Sequence, residues 1–255
     1  MKLIYGRAGS GKSEYVLNEV AKSINDGNKK IYIITPEQFS FTTEKRLLEK
    51  IEKNHRCGAT LNVEVISFER MAYRVINELF NNDKIKLENS SKAMIIFDAI
   101  NKNKKDLKFL GSNLENVDTV ITQITEFKKH NISVKMLENQ VENTNDEYLK
   151  AKLRDMLIMY KAMQSKLTDD FIDENDLLTI LAENIENSHL FDNSIIYIDE
   201  FAGFTKQEFS VIEKLEKIAK ELYITICTDE LRVTKKPEND IFYDNKQTVQ
   251  TLKQI

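Results

Sequence analysis

The chain has 255 residues, enough for one large domain or two small ones with a sizeable buried core. Hydrophobic residues make up 41% of it, which excludes a disordered chain, and the net charge of −4 excludes a uniformly basic nucleic-acid coat. Residues 1–75 hold 13 Lys and Arg against 9 Asp and Glu, so we expect any polyanion to meet the N-terminal third.

The lengths of the apolar runs and the positions of the cysteines further restrict the class of protein. The longest apolar runs, such as residues 31–34, fall far short of the roughly 18 residues that a membrane span needs. Because no apolar leader follows Met1, we expect a soluble, cytoplasmic chain with no membrane partner. Cys57 and Cys227 stand far apart and lack the spacing of a ligand motif, which predicts no zinc or iron–sulfur site in this segment.

Strand and helix signals alternate from the first residues. The pattern predicts a strand over 3–5, a helix over 13–24 with its apolar residues on one face, and a second strand over 30–35. A third strand is predicted over 61–67, and a helix over 68–79 follows it. This alternation favours a parallel α/β sheet.

The strand signal almost disappears between about residues 90 and 185. Helical periodicity replaces it over residues 93–100, 114–127, 148–167 and a capped segment at 173–185. The α/β pattern then resumes with a strand over 194–198, a capping box at Thr205 and Glu208, and a strand over 222–227.

These segments predict a fold of two parts. An α/β lobe with helices on both faces of a parallel sheet covers residues 1–85 and 190–255, and an all-helical insertion covers residues 86–189. At the end of the chain, a helical stripe starts without a cap at Val249, Leu252 and Ile255. We interpret this as a fragment of a longer protein, and a frayed terminal helix is the alternative.

The strongest motif lies between the first predicted strand and helix. Gly6-Arg7-Ala8-Gly9-Ser10-Gly11-Lys12-Ser13 matches G-x-x-x-x-G-K-[ST] without a mismatch. Glycines let backbone N–H groups surround a phosphate, and the helix N-terminus adds partial positive charge. We expect Lys12 to bind the β- and γ-phosphates of ATP and the Ser13 hydroxyl to ligate Mg²⁺. An ordinary glycine turn would not require Lys-Ser at this offset.

A second candidate element follows the strand at residues 194–198. Asp199 and Glu200 come directly after this apolar strand, at the sheet edge where open α/β sheets bind ligands. We predict that Asp199 holds Mg²⁺, usually through water, and that Glu200 polarises the attacking water as the catalytic general base. Acidic turn residues are common, so this acidic pair indicates a metal site only in combination with the glycine-rich loop.

Other strand ends supply candidate DNA contacts. Thr35 and Gln38 follow the second predicted strand, and Ser67 and Phe68 follow the third. Hydroxyl and amide groups suit phosphate or sugar contacts on a single strand, and Phe68 can stack on a base unless it belongs to the core. Further along, Arg46 and the neighbouring lysines alternate with glutamates, which is typical of a solvated helix face.

With these motifs in place, the chain resembles superfamily 1 helicases of the UvrD/RecB type, and among them the N-terminal region of the AddB family. The resemblance spans essentially the whole chain and rests on residues 5–13, 33–40, 65–71, 171–178 and 198–205. It implies a RecA-like P-loop motor lobe with an inserted helical subdomain, and ATP and Mg²⁺ as cofactors. It further implies processing of double-stranded DNA breaks for recombinational repair, in a heterodimer with an AddA-type helicase–nuclease subunit. The iron–sulfur nuclease domain of that family matches nothing here.

Two departures from active motors of this type shape the expected activity. Residues 226–230 lack the glutamine of a Gly-Asp-x-x-Gln pattern, and no second lobe with its charge-stabilising arginine is present. We therefore expect this chain alone to bind ATP·Mg²⁺, to hydrolyse it slowly or not at all, and not to unwind DNA. One alternative is a non-catalytic scaffold that holds DNA and the partner subunit. The other is a P-loop small-molecule kinase, which would need an arginine-bearing lid over its acceptor. Residues 90–185 offer only Arg154 for such a lid.

Overall fold

A computed structural model describes residues 1–24, 30–55, 62–80, 85–110, 114–167, 171–233 and 237–255. Within these ranges the chain forms ten α-helices, a five-stranded sheet and a two-stranded sheet, and every strand pair is parallel. The predicted α/β class with a parallel sheet is therefore confirmed. Cys57 and Leu61, the first residue of the predicted third strand, lie outside the described residues.

The strands are β1 (Lys2–Gly6), β2 (Ile31–Ile34), β3 (Val63–Ile66), β4 (Ile85–Lys86), β5 (Phe171–Ile172), β6 (Ile195–Ile198) and β7 (Glu221–Cys227). The helices are α1 (Lys12–Ser23), α2 (Glu37–His55), α3 (Phe68–Leu79), α4 (Asn89–Lys102), α5 (Val117–Lys129), α6 (Val134–Asn143), α7 (Glu147–Gln164), α8 (Leu177–Asn184), α9 (Lys206–Ile218) and α10 (Tyr243–Leu252). Short 3-10 turns cover Leu114–Asn116, Glu174–Asp176, Ile185–Asn187 and Pro237–Asn239.

The chain divides into two compact units. Unit 1 comprises residues 1–80 and 180–255, and unit 2 comprises residues 81–179. The five-stranded sheet belongs to unit 1 and the two-stranded sheet to unit 2. The discontinuous lobe and the inserted subdomain with boundaries at residues 85 and 190 stay a prediction.

The large sheet has the strand order β1-β7-β6-β2-β3. Its central strands β2 and β6 are unbroken apolar runs with every residue buried, as expected for parallel strands covered on both faces. The register pairs Gly6 with Cys227, Ile198 with Ile224, and Ile34 with Ile198. The carboxyl ends of β1, β7, β6 and β2 therefore meet along one edge.

One face of this sheet is covered by α1 and α2. Because their apolar residues recur at helical spacing, each helix presents a continuous stripe to the strands. This core contains Val16, Leu17, Val20, Leu47 and Ile51 from the helices, and Ile31, Ile33, Val65, Ile195 and Tyr197 from the strands.

The strand order reverses direction between β6 and β2. The unit β2-α2-β3 runs one way along the sheet and β6-α9-β7 runs the other. Since such crossovers are right-handed, α2 and α9 lie on opposite faces and a crevice opens at the carboxyl ends of β6 and β2. The predicted capping box is confirmed at the start of α9, where Thr205 and Glu208 each bond the backbone of the other.

Unit 2 is mainly helical. Its core is formed by α4, α5, α6 and α7 around Ile96, Ile100, Val120, Ile124, Leu137, Met156, Met159, Tyr160 and Met163. Three features go beyond the sequence prediction, namely helix α6 and the two-residue strands β4 and β5, which pair with each other. Across the described ranges, no helix has the length and apolar character needed to span a membrane.

Candidate functional site

The glycine-rich loop connects the end of β1 to the start of α1. Gly9 and Gly11 have φ angles of 75° and 85°, in the left-handed region that side chains with a Cβ disfavour. A Cβ on Gly6 would lie 2.5 Å from the Ser10 Oγ. The backbone conformation therefore favours glycine at positions 9 and 11, and a Cβ at position 6 would displace the Ser10 side chain.

Lys12 is the first residue of α1 and folds back onto this loop. Its Nζ donates hydrogen bonds to the carbonyl oxygens of Gly6 at 2.9 Å and Arg7 at 3.0 Å. Gly11, at the N-cap of α1, has no side chain to accept from the N–H groups of the first turn. An incoming anion can accept those hydrogen bonds and attract the lysine ammonium, while Ser13 stands half-buried in the same turn.

Asp199 follows β6 directly and is 3% exposed. Its backbone N–H donates to the Ile34 carbonyl at 2.9 Å, and its Oδ1 accepts a hydrogen bond from the Thr225 hydroxyl of β7. In the sheet, β7 lies between β6 and β1, so Asp199 and the loop after Gly6 flank the same strand. Asp199 and this loop therefore lie about two strand spacings apart, which amounts to about 10 Å.

Glu200 has a left-handed backbone with φ of 68°, which is costly for a residue with a Cβ. Burial and the neighbouring Asp199 carboxylate raise the pKa of Glu200 above its ordinary value, against the opposing charge of Arg46. The Arg46 guanidinium of α2 lies 3.6 Å from Glu200 Oε1 and 3.6 Å from Glu14 Oε2.

Arg46 therefore links the acidic pair to the first turn of α1, because Glu14 stands two residues after Lys12. The predicted nucleotide and metal residues are thus gathered at one edge of the sheet. Sequence reasoning placed Arg46 on a solvated face and missed this bridging position. Only the three-dimensional proximity of α1, α2 and β6 identifies it.

The described residues contain no group of three or more His, Cys, Asp or Glu side chains that could form a protein-only metal site. Mg²⁺ rarely needs one, since it keeps several waters and takes one or two protein ligands together with phosphate oxygens. A hydroxyl at Ser13 and a buried carboxylate at Asp199 fit that donor set. The chain's residues are therefore compatible with a Mg²⁺–nucleotide site.

The predicted DNA contacts fare differently. Thr35 is fully buried with its hydroxyl 3.3 Å from the Ser40 hydroxyl, and the buried Ser67 caps α3 by accepting from the Arg70 N–H. Phe68 is 4% exposed, with its ring centroid 5.4 Å from that of Phe201. These three side chains serve the core and a helix cap, and their contact with DNA stays a prediction. Of the four predicted residues, only Gln38 is exposed.

The segment after β7 carries a buried cation that the sequence did not indicate. Lys246 of α10 is fully buried, and its Nζ lies 2.7 Å from Asp240, 2.9 Å from Asp229 and 3.2 Å from Glu230. Hydrogen bonds from Lys246 lower the pKa values of Asp229 and Asp240.

The same segment also contacts the glycine-rich loop. Asp229 lies 3.8 Å from Arg7, and the Thr228 N–H donates to the Gly6 carbonyl at 3.2 Å. Residues 228 and 229 are thus held by a backbone hydrogen bond and ion pairs between the glycine-rich loop and α10.

A glycine-rich loop at a helix N-terminus and an acidic pair at the carboxyl edge define an open-sheet α/β protein with a candidate ligand-binding edge. Residues 3–255 of the chain match the family model described as "ADDB, N-terminal". The chain therefore belongs to the family of AddB N-terminal regions, and the resemblance seen in the sequence is confirmed.

Curated relatives agree with this family. The chain is 38% identical over 260 residues to a protein of Clostridium botulinum (strain Loch Maree / Type A3), and 38% identical over 258 residues to one of Clostridium novyi (strain NT). It is 36% identical over 263 residues to a protein of Clostridium perfringens (strain 13 / Type A). Each of the three is named as one subunit of an ATP-dependent helicase/deoxyribonuclease. The alignments cover 99% or more of this chain and 22% of each relative.

Proposed function

We propose that unit 1 is a RecA-like P-loop lobe that binds ATP·Mg²⁺ within the N-terminal region of a helicase–deoxyribonuclease subunit. In this proposal unit 2 is the helical subdomain inserted into that lobe. The complete subunit would act with an AddA-type partner on double-stranded DNA breaks in recombinational repair. The family match and the names of the relatives support the assignment to a helicase–deoxyribonuclease subunit.

One observation carries the nucleotide proposal, namely the conformation of the loop at residues 6–13. Gly9 and Gly11 have left-handed backbones, and the N-terminus of α1 at Lys12 has no side-chain cap. Together these features suit the binding of an anion, and an ordinary glycine turn does not require them. Lys12 would exchange the two carbonyl oxygens that it now contacts for phosphate oxygens. This exchange preserves its hydrogen bonds and adds charge pairing.

The remaining residues receive roles at the same edge. Ser13 and Asp199 would hold Mg²⁺, which when bound supplies a Lewis acid at the phosphate oxygens. Glu200 would accept a proton from the attacking water, with Arg46 holding its carboxylate beside the first turn of α1. Hydrolysis by this chain alone would be slow, because a transition-state arginine from a second lobe is worth orders of magnitude in rate.

The scaffold alternative has one observation in its favour. The position of the motor glutamine is taken by a segment in which Asp229 is paired with buried Lys246, an arrangement suited to rigidity and not to sensing a γ-phosphate. In that case nucleotide would act as a structural ligand at most. An experiment on the complete heterodimer distinguishes the motor proposal from the scaffold alternative. Lys12→Ala should impair the processing of DNA ends only if the site works as a motor or a switch.

Titration of the chain with a fluorescent ATP analogue and Mg²⁺ tests nucleotide binding directly. We expect saturable binding that Lys12→Ala weakens by at least tenfold, because the variant removes the only ammonium in the motif. Lys22→Ala is the matched control, since it removes an equal charge from the last turn of the same helix, where Lys22 pairs with Glu19. Equal affinities of the two variants would contradict the proposal, as would the absence of binding to the unmodified chain.

A further inference from the structure

Unit 2 presents two exposed aromatic rings next to cationic side chains. The rings of Phe109 and Tyr148 are in T-shaped contact with centroids 5.4 Å apart, and the Lys152 Nζ lies 5.5 Å from the centroid of Phe109. Tyr148 is 71% exposed and Phe109 is 39% exposed. Rings of this size are normally withdrawn into the core, so their exposure at one place calls for an explanation.

A buried carboxylate fixes this arrangement. Asp155 of α7 is 1% exposed and accepts hydrogen bonds from three consecutive backbone N–H groups, those of Lys108 at 3.2 Å, Phe109 at 2.7 Å and Leu110 at 2.8 Å. Tyr148, Lys152 and Asp155 follow at i, i+4 and i+7 and so share one side of α7. The segment bearing Phe109 is thereby held against the side of α7 that bears Tyr148 and Lys152.

The surroundings are predominantly cationic. Lys108 and Arg154 line an adjoining cavity of about 300 Å³, and Lys104 and Lys105 are exposed in the preceding turn. Among the described residues, no salt bridge to any of these four cations or to Lys152 is formed. The nearby acids include Asp106 and the buried Asp155, which line the same cavity, Asp146, whose carboxylate caps α7, and Glu147.

We infer that this aromatic–cationic surface, formed by Lys108, Phe109, Tyr148, Lys152 and Arg154, binds single-stranded nucleic acid. Aromatic faces stack on unpaired bases of any sequence, and neighbouring cations follow the phosphates. An acidic polypeptide would use the cations but would gain little from the rings, and a duplex hides its bases. The inference deepens the proposed function by giving the nucleic acid a surface in unit 2, distinct from the predicted strand-end contacts.

Fluorescence anisotropy with two labelled 20-nucleotide strands of equal charge tests the inference on the unmodified chain. One strand is oligo-dT, and the other carries abasic sites throughout. Because only the bases of oligo-dT can stack on the rings, we expect at least fivefold tighter binding of oligo-dT than of the abasic strand. Tyr148→Ala should abolish this preference. Lys152→Gln should weaken the binding of both strands and reduce the salt dependence of the affinity by the equivalent of about one phosphate contact.

Two variants serve as matched controls. Phe41→Ala removes another highly exposed ring, in unit 1 on the helix that begins next to Gln38, and Lys135→Gln removes an exposed charge elsewhere in unit 2. Both should leave the oligo-dT preference unchanged. Since Tyr148 is largely exposed, its truncation should preserve the fold, which circular dichroism of each variant checks.

Several results would overturn the inference. These are no binding of oligo-dT, equal binding of the abasic strand, displacement of oligo-dT by poly-glutamate as effectively as by unlabelled oligo-dT, or a loss caused by Phe41→Ala and not by Tyr148→Ala. Lys12→Ala separates this question from the proposed function. That variant should lose nucleotide binding and keep the oligo-dT preference, so the two proposals can fail independently.

Discussion

The glycine-rich loop of unit 1 and the buried ion-pair network of unit 2 use lysine in opposite ways. In unit 1, Lys12 is half-buried and contacts backbone carbonyls of its own loop, and no salt bridge to it forms among the described residues. In unit 2, the side chains of Lys92 and Lys128 are 3% and 2% exposed and both pair with Asp173. A lysine held by neutral carbonyls can still bind an anion, whereas one neutralised by a buried carboxylate contributes to stability.

The buried network of unit 2 joins three elements. Asp173, just before the 3-10 turn, accepts from Lys92 of α4 at 2.7 Å, from Lys128 of α5 at 2.6 Å and from the Asn175 N–H at 3.0 Å. Burial acts to raise the pKa of Asp173, but these partners hold it below its ordinary value. Burial raises the pKa of Asp176, which shares only Lys128. The segment at residues 171–178 thus has a structural role.

The largest expected effect comes from breaking that network. Asp173→Asn should destabilise the chain by about 3–5 kcal/mol, because it leaves two buried ammonium groups without their main partner. Urea unfolding followed by far-UV circular dichroism measures the loss. Glu174→Gln, which affects only an exposed pair with Lys86, is the control and should change stability by less than about 0.5 kcal/mol. A similar cost for both variants would show that the buried network contributes no more to stability than an exposed ion pair.

The Asp173→Asn effect should also depend on pH. The folded-state pKa of Asp173 is lowered, so its contribution is complete above the unfolded value of about 3.9 and is lost as the pH falls through the folded value. Wild type and Asp173→Asn should therefore converge in stability in strong acid. ATP binding at neutral pH should be unaffected under conditions where the variant remains folded.

A smaller effect is expected at the glycine-rich loop. Gly11→Ala forces a Cβ into a backbone with φ of 85°, which costs about 1–2 kcal/mol, and the resulting shift should weaken ATP·Mg²⁺ binding. Gly203→Ala is the matched control, since its added Cβ would meet only the Thr248 Oγ1 at 3.9 Å. Unfolding and nucleotide titrations on both variants test this, and an unchanged affinity for Gly11→Ala would show that the loop conformation is unimportant for binding.

The smallest effect should follow from Arg46→Gln. The ion pairs of Arg46 are partly exposed, so stability should change by less than about 1 kcal/mol, whereas ATP·Mg²⁺ affinity should fall about two- to fivefold as Glu14 and Glu200 lose their shared cation. Arg74→Gln, which breaks an exposed pair with Glu64, is the control. In a Glu200→Gln background the affinity loss should shrink, and full additivity would place the action of Arg46 elsewhere.

Local rules were sufficient for much of the fold. Apolar runs predicted β2 and β6, because strands buried on both faces need no alternation of apolar and polar residues. The spacing of Thr205 and Glu208 predicted the start of α9. The glycine-rich loop could also be predicted from the sequence, because the residues that define it are consecutive. Such features depend on neighbours in the chain.

Features that depend on distant residues were missed or misassigned. Arg46 and Lys246 look like ordinary surface charges until folding brings Glu200, Asp229 and Asp240 beside them. Phe68 could be a stacking ring or a core residue, and only the packing of Phe201 against it decides. Charge pairing and aromatic packing at long sequence separation have no periodic signature, so a single sequence could not supply them.

The sheet order has a consequence for biosynthesis. In the described sheet β1 pairs with β7 alone, and Lys2 and Tyr223, which face each other across that pairing, are separated by 221 positions. During translation the first strand leaves the ribosome long before its neighbour exists, and contacts of such separation form slowly. The strand that precedes the glycine-rich loop therefore gains its partner only after β7 has been synthesised, and a nascent chain that stops before residue 221 should be unable to assemble this pairing.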